Sequence, residues 1–319
     1  YQTAERGAVL DARLGKFFNN EYFSILTKLD YVKADDSTAS WERSIINVIP
    51  QISIADTSWN LEVGINMATE VDNASFSHFY PKANASLDLA GKFLALYVGA
   101  GGNITKNTFK TLSDQNPFIN SFVYFRNTED KLDFWAGFKG TFSNSTSYNI
   151  RANYKEVYNM PFFVNSTLKP HHKFDVIYDS LTLLNIHAEV GLQQTEKIRF
   201  IFKGDYYSYD PIGEEQAWFK PDVELSLSGT YNIGNKILLR GDVIILGNQY
   251  AKKTVTSAGV SSAKKISGMA DVNLGIDYRY NKLFSFFLHI NNMAAVRYYR
   301  WDQYPSQRFN VLAGLSYSF

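Results

Sequence analysis

Ser285, His289 and Asn291 are the side-chain types that make up a hydrolytic nucleophile, its base and an orienting amide. Their spacing rules out that use. The stretch alternates like a strand, and four residues of strand span roughly 13 Å, against the roughly 3 Å a base needs from its nucleophile. His171 and His172 are adjacent; sequence neighbours rarely share one metal ion, and no other ligand type stands at a suitable spacing. Gly99, Gly101 and Gly102 lack the lysine and the spacing of a phosphate loop and read as sites of close packing or a bend. No catalytic residue, metal or other cofactor is expected, and the chain is not expected to be an enzyme.

A different chemistry is written at every second position of long apolar runs. Arg13, Glu62, Lys139, Arg151, His187, Glu189, Arg199, Lys203, Asp205, Arg240, Asp242, Asp271, Asp277, Arg279 and His289 all stand on the polar side of such a run. Across RYNKL the two strands must pair with both apolar faces on one side, because a one-residue slip inverts a strand. Setting Phe284, Phe286, Leu288 and Ile290 opposite Tyr278, Ile276, Leu274 and Val272 does this; it brings Asp271 to Asn291, Asn273 to His289 and Asp277 to Ser285. Across QQTEKI the same rule puts Glu189 opposite Lys203 and His187 opposite Asp205. Such a face either satisfies itself and fills an interior or lines a solute path, and its mixed signs argue against strong selection for anions or cations.

The elements that must hold these side chains are strands. Period-two segments recur near 7–18, 21–33, 44–54, 58–70, 79–90, 92–103, 131–143, 146–157, 180–193, 197–208, 217–232, 236–247, 264–279, 282–293 and 306–319. FINSFVYFRN is a weaker candidate, better read as part of one loop over 104–130. Tight connections alternate with long ones, as in an up-and-down meander with brief turns on one side of an outer membrane and extended loops on the other. Phe, Tyr and Trp collect near strand ends, which suits interfacial girdles. Aromatics reach 16% while charged residues are only 20% at a mean hydropathy of -0.23, so amides and hydroxyls supply the polarity. A net charge of +1 offers no surface for nucleic acid, and the absence of cysteine suits an oxidising compartment. The expected fold is all-β: a single-domain transmembrane antiparallel up-and-down barrel over 1–319, with about 15–16 strands. Because single-chain barrels usually have even counts, an ascending strand is expected before Tyr1.

NPF at 116–118, FWAGFKGTFSNSTSYNIRANY at 134–154, NMPFFVN at 159–165 and the closing AGLSYSF resemble the TonB-dependent-receptor-like outer-membrane barrels of Bacteroidetes. The resemblance implies residence in the bacterial outer membrane, contact with its lipid, and a terminal aromatic, here Phe319, read by the barrel-assembly machinery. No segment matches that family's plug domain or its energy-coupling box, so active import by this chain is not expected. The expected function is transport or receptor-like, for an undefined solute; the alternative is a non-conducting scaffold or accessory subunit with envelope protein partners. Arg297, Tyr298, Tyr299, Arg300, Trp301 and Tyr304 form the richest candidate recognition loop, since aromatics and arginine concentrate binding energy.

Overall fold

The computed structural model describes residues 4–35, 40–72, 74–167, 172–254 and 261–318. Alternation becomes strand throughout. The first half contains β1 (Ala4–Phe18), β2 (Glu21–Asp35), β3 (Ser40–Ala55), β4 (Trp59–Val71), β5 (Ser75–Asp88) and β6 (Ala95–Thr105), then a short helix α1 (Phe109–Gln115) and β7 (Thr128–Ser143). Next come β8 (Thr146–Asn165), β9 (Phe174–Gln194), β10 (Ile198–Pro211), β11 (Val223–Ile233) and β12 (Ile237–Leu246). The remainder is β13 (Gln249–Thr254), β14 (Ser261–Ile266), β15 (Met269–Arg279), β16 (Phe284–Asn291), β17 (Tyr299–Trp301), β18 (Tyr304–Pro305) and β19 (Asn310–Tyr317).

Fifteen of these strands form one meander in the order β1 to β12, β15, β16, β19, each antiparallel to its neighbours. Among the described residues β1 and β19 are the two edges, so the sheet does not close on itself. The pairs β13–β14 and β17–β18 are small separate hairpins within the long connections. No described helix is long and apolar enough to cross a membrane.

Polarity is reversed relative to a water-soluble sheet. On β4, Leu61, Val63, Ile65 and Met67 are exposed, whereas Asn66 and Ala68 of the other face are buried. On β15, Leu274, Ile276 and Tyr278 are exposed in the same way. Exposed rings and branched chains along strand after strand are a surface that water would penalise and lipid would accept.

The tight turns hold the register. Gly234 and Asn235 both have positive φ (57° and 55°), as a type I′ hairpin requires, and the Lys236 amide donates to the Ile233 carbonyl. At Gly140 a Cβ would lie 2.0 Å from the Phe93 carbonyl oxygen, so only glycine lets β7 pass that turn.

Several expectations are corrected. Across RYNKL the register is Leu274 with Ile290, Gly275 with His289 and Arg279 with Ser285, two residues from the expected pairing. Asp271, Asn273 and Asp277 therefore do not face Asn291, His289 and Ser285. The turn is the same length but centred one residue later, on Lys282, where the Asn281 side chain accepts from the amides of Leu283 and Phe284 at 2.8 and 2.7 Å. The shift is even, so face assignment survives. The segment 217–222 is loop, and Ser267–Gly268 separates 264–266, which belong to β14, from β15. The expected long connection over 158–179 is mostly a continuation of β8 and β9, with a bulge between Val157 and Met160.

Candidate solute path and its outer cover

The polar face gathers its charges into local pairs. His187 Nδ1 lies 2.9 Å from Asp205 Oδ1, and Lys203 Nζ lies 3.3 Å from Glu189 Oε2, following the register expected across QQTEKI. Asn185 donates to the same Asp205 oxygen at 3.2 Å. Glu62 accepts from Gln51, Ser53 and Asn84 and pairs with Lys82 at 3.3 Å. Arg240 reaches Asp277 at 2.8 Å, with His289 Nε2 4.0 Å from the other oxygen, and Ser228 donates to Asp242 at 2.7 Å.

The rest of the predicted set is less tied. Arg13 donates to Ser24 at 3.4 Å and sits over the Tyr22 ring, and Lys139 sits over the Tyr97 ring. Arg151 stands between Gly137 and His187 in the ladder, its Nε buried without a hydrogen-bond partner. Arg199 faces Gln193 and Thr230, and Arg279 faces Ser285.

Sequence reasoning missed a further node. Lys155 lies 2.9 Å from Asp130 and 3.0 Å from Asp133, and Asn153 donates to Asp133 at 2.9 Å. Pairing across the FSNSTS turn, which sets Asp133 opposite Lys155, was the signal that could have found it. Trp135 also belongs to the polar face, lying flat on Gly99, where a Cβ would come 2.3 Å from its indole. That contact and the bulge after Gly101 account for the glycine run as packing.

Magnitudes separate two kinds of order. Partly exposed ion pairs contribute about 0–1 kcal/mol each, so they fix side-chain positions more than they hold the sheet. Fully burying an aromatic or aliphatic side chain contributes about 1.5–3 kcal/mol, and such burial is concentrated at the long-loop end. There Leu112, Ile119, Phe162, Phe163, Phe174, Trp218, Phe219 and Trp301 form one cluster with Val157 and Leu181.

The candidate recognition loop divides into two faces over this cluster. Arg297, Tyr299 and Arg300 are exposed. Trp301 is only 9% exposed, its ring 5.2 Å from Phe163, 5.6 Å from Phe174 and 5.0 Å from Phe219. Tyr304 stacks on Phe118 and donates to the His172 carbonyl at 2.7 Å. Tyr298 donates to Asp271 at 2.8 Å; burial first, and that carboxylate second, push its phenol up to about 12. Desolvation among the loops pushes the Lys220 ammonium down, with Glu224 opposing. Phe319 and His171 lie outside the described residues.

No family model and no curated protein matches the sequence. Solved structures do. The FrpB iron transporter from Neisseria meningitidis superposes with a TM-score of 0.72 at 9% identity, covering 99% of this chain and 55% of that one. The ferric enterobactin receptor PfeA from Pseudomonas aeruginosa, a G324V mutant, gives 0.71 at 12% identity, covering 100% and 54%. The fifteen-stranded sheet has the fold of part of the barrel in these outer-membrane proteins. The pyoverdine outer membrane receptor FpvA from Pseudomonas aeruginosa PAO1 agrees, with 0.69 at 10% identity over 99% of this chain and 53% of that one. The chain thus spans about half the length of the structures it matches.

Proposed function

We propose that this chain lies in the bacterial outer membrane as part of a TonB-dependent-receptor-like barrel and serves as a transport or receptor component for a solute. One observation carries the reading: a meander of fifteen strands exposes its apolar side chains and gathers its charged ones on the opposite face. Lipid suits the first face and a hydrated path the second. The fold it shares with proteins described as an iron transporter, a ferric enterobactin receptor and a pyoverdine receptor supports a transport role. The solute would meet paired charges and amides from Glu62 through Lys155, His187 and Arg240 to Asp277. A non-enzymatic role is part of the same reading, since many of the charged residues are engaged with one another along the wall.

The second reading, a non-conducting scaffold with envelope partners, is favoured by the aromatic layer over the long-loop end. Single-channel recording in a planar bilayer tests between them. A stable open pore excludes the scaffold; silence under all conditions, together with co-purifying envelope proteins, excludes the path. We further propose Phe319 as an assembly signal: its deletion should lower outer-membrane insertion, and unchanged insertion would remove that role.

A further inference from the structure

We propose that the connection between β6 and β7, residues 106–127, is a strap drawn across the outer mouth, and that it shuts the interior until its anchors are released. This rests on the reading of the polar face as a path.

The strap is anchored first on the early strands. Lys106 Nζ lies 2.5 Å from Asp30 of β2, and the Lys110 amide donates to Glu5 of β1 at 3.2 Å. Arg43 of β3 donates to the Phe125 carbonyl at 2.7 Å, while Trp41 packs on the Phe125 ring at 5.2 Å. Asn127 donates to Glu70 of β4 at 2.6 Å. Between these points the same segment reaches the far side. The Phe174 amide of β9 donates to the Phe118 carbonyl at 3.0 Å, and the Asn120 amide donates back to the Phe174 carbonyl at 2.8 Å. Phe118 also stacks on Tyr304, in the connection between β16 and β19.

From β2 to β9 is seven strand spacings, roughly 33 Å along the sheet. A segment that hydrogen-bonds to both cannot follow the rim strand by strand; it is a chord, and the space under it is what the sheet encloses. Its two ends are tied to each other, Asn107 donating to the Arg126 carbonyl at 2.8 Å and to Thr128 at 2.7 Å. That clasp lets the loop move as one body. Its anchors differ in kind. On the β1–β4 side they are mostly polar and ionic, groups that entering water can solvate once they part, although Lys106 and Arg43 are only 9% and 13% exposed while paired. On the β9 side Leu112 and Ile119 are buried in the aromatic cluster. Release is therefore expected on the β1–β4 side, with the β9 side as the hinge.

The chain has no cysteine, so single cysteines report access cleanly. Ser226→Cys puts a thiol on the polar face of β11; Glu215→Cys puts one on an exposed loop. With a bulky membrane-impermeant maleimide added outside intact cells, Ser226→Cys should label at least about tenfold more slowly than Glu215→Cys. Equal rates overturn the proposal, and this comparison leaves every strap anchor intact. Adding Arg43→Ala and Lys106→Ala should then accelerate labelling of Ser226→Cys about tenfold, while a rate that does not change overturns it. The two readings fail separately: if release speeds labelling yet the released protein passes no current in a bilayer, the strap stands and the path falls.

Discussion

Trp301 offers the sharpest test of what orders the outer end. Trp301→Ala removes a ring that is 9% exposed and in contact with Phe163, Phe174 and Phe219. Large-to-small replacement of a buried aromatic costs about 3–5 kcal/mol. Because Trp301 sits in the small β17–β18 hairpin and touches none of the meander's tight turns, the loss should fall on the outer layer. Taking the lower bound, about 3 kcal/mol is a little over a hundredfold in the local opening constant. The assay is amide hydrogen exchange in lipid nanodiscs. Protection of the Phe174 amide, which donates to Phe118, should fall by about that factor, while amides in the centre of β4 to β7 should not change. Exchange at Phe174 within about twofold of the unsubstituted protein would show that Trp301 is not a packing residue. It would return that side chain to the role of surface recognition group. A uniform loss across all strands would refute the separation between outer layer and sheet.

Gly140→Ala places a Cβ 2.0 Å from the Phe93 carbonyl, a backbone atom that cannot rotate away, so it should destabilise by at least about 1–3 kcal/mol and lower the temperature at which the folded form is lost on heated gels. Lys155→Met leaves Asp130 and Asp133 facing each other without their cation; partial exposure tempers the cost to about 1–2 kcal/mol, and adding Asp133→Asn should recover part of it in a double-mutant cycle. Tyr298 holds its proton up to about pH 12 in the folded chain, above the unfolded phenol near 10. Its contribution to loop stability is therefore full below pH 10 and lost as pH rises towards 12, and Tyr298→Phe should remove that part of the alkaline loosening followed by near-ultraviolet circular dichroism.

The meander was legible in the sequence because a strand exposed to two different media must alternate, and alternation needs no knowledge of its neighbours. Face assignment followed for the same reason: Leu274 and Asp277 differ in parity whatever the register. Where a tight turn was short and polar, as at QQTEKI, parity also gave the partner, and Lys203 came to Glu189. Where the turn could close in more than one way, as at RYNKL, only the Asn281 side chain decided, and pairing moved by two residues without any change in the pattern of apolar positions. The outer layer lay beyond reach altogether. Phe118, Phe174, Phe219, Trp301 and Tyr304 come from four separate connections and strand ends, and no period relates them. Which aromatic of a loop turns inward depends on surfaces brought together by the curl of the whole sheet. The sequence therefore determined two faces and the strands that bear them, because local spacing dictates those; tertiary structure alone decided what lies across the mouth, because contacts between distant loops carry no local signature.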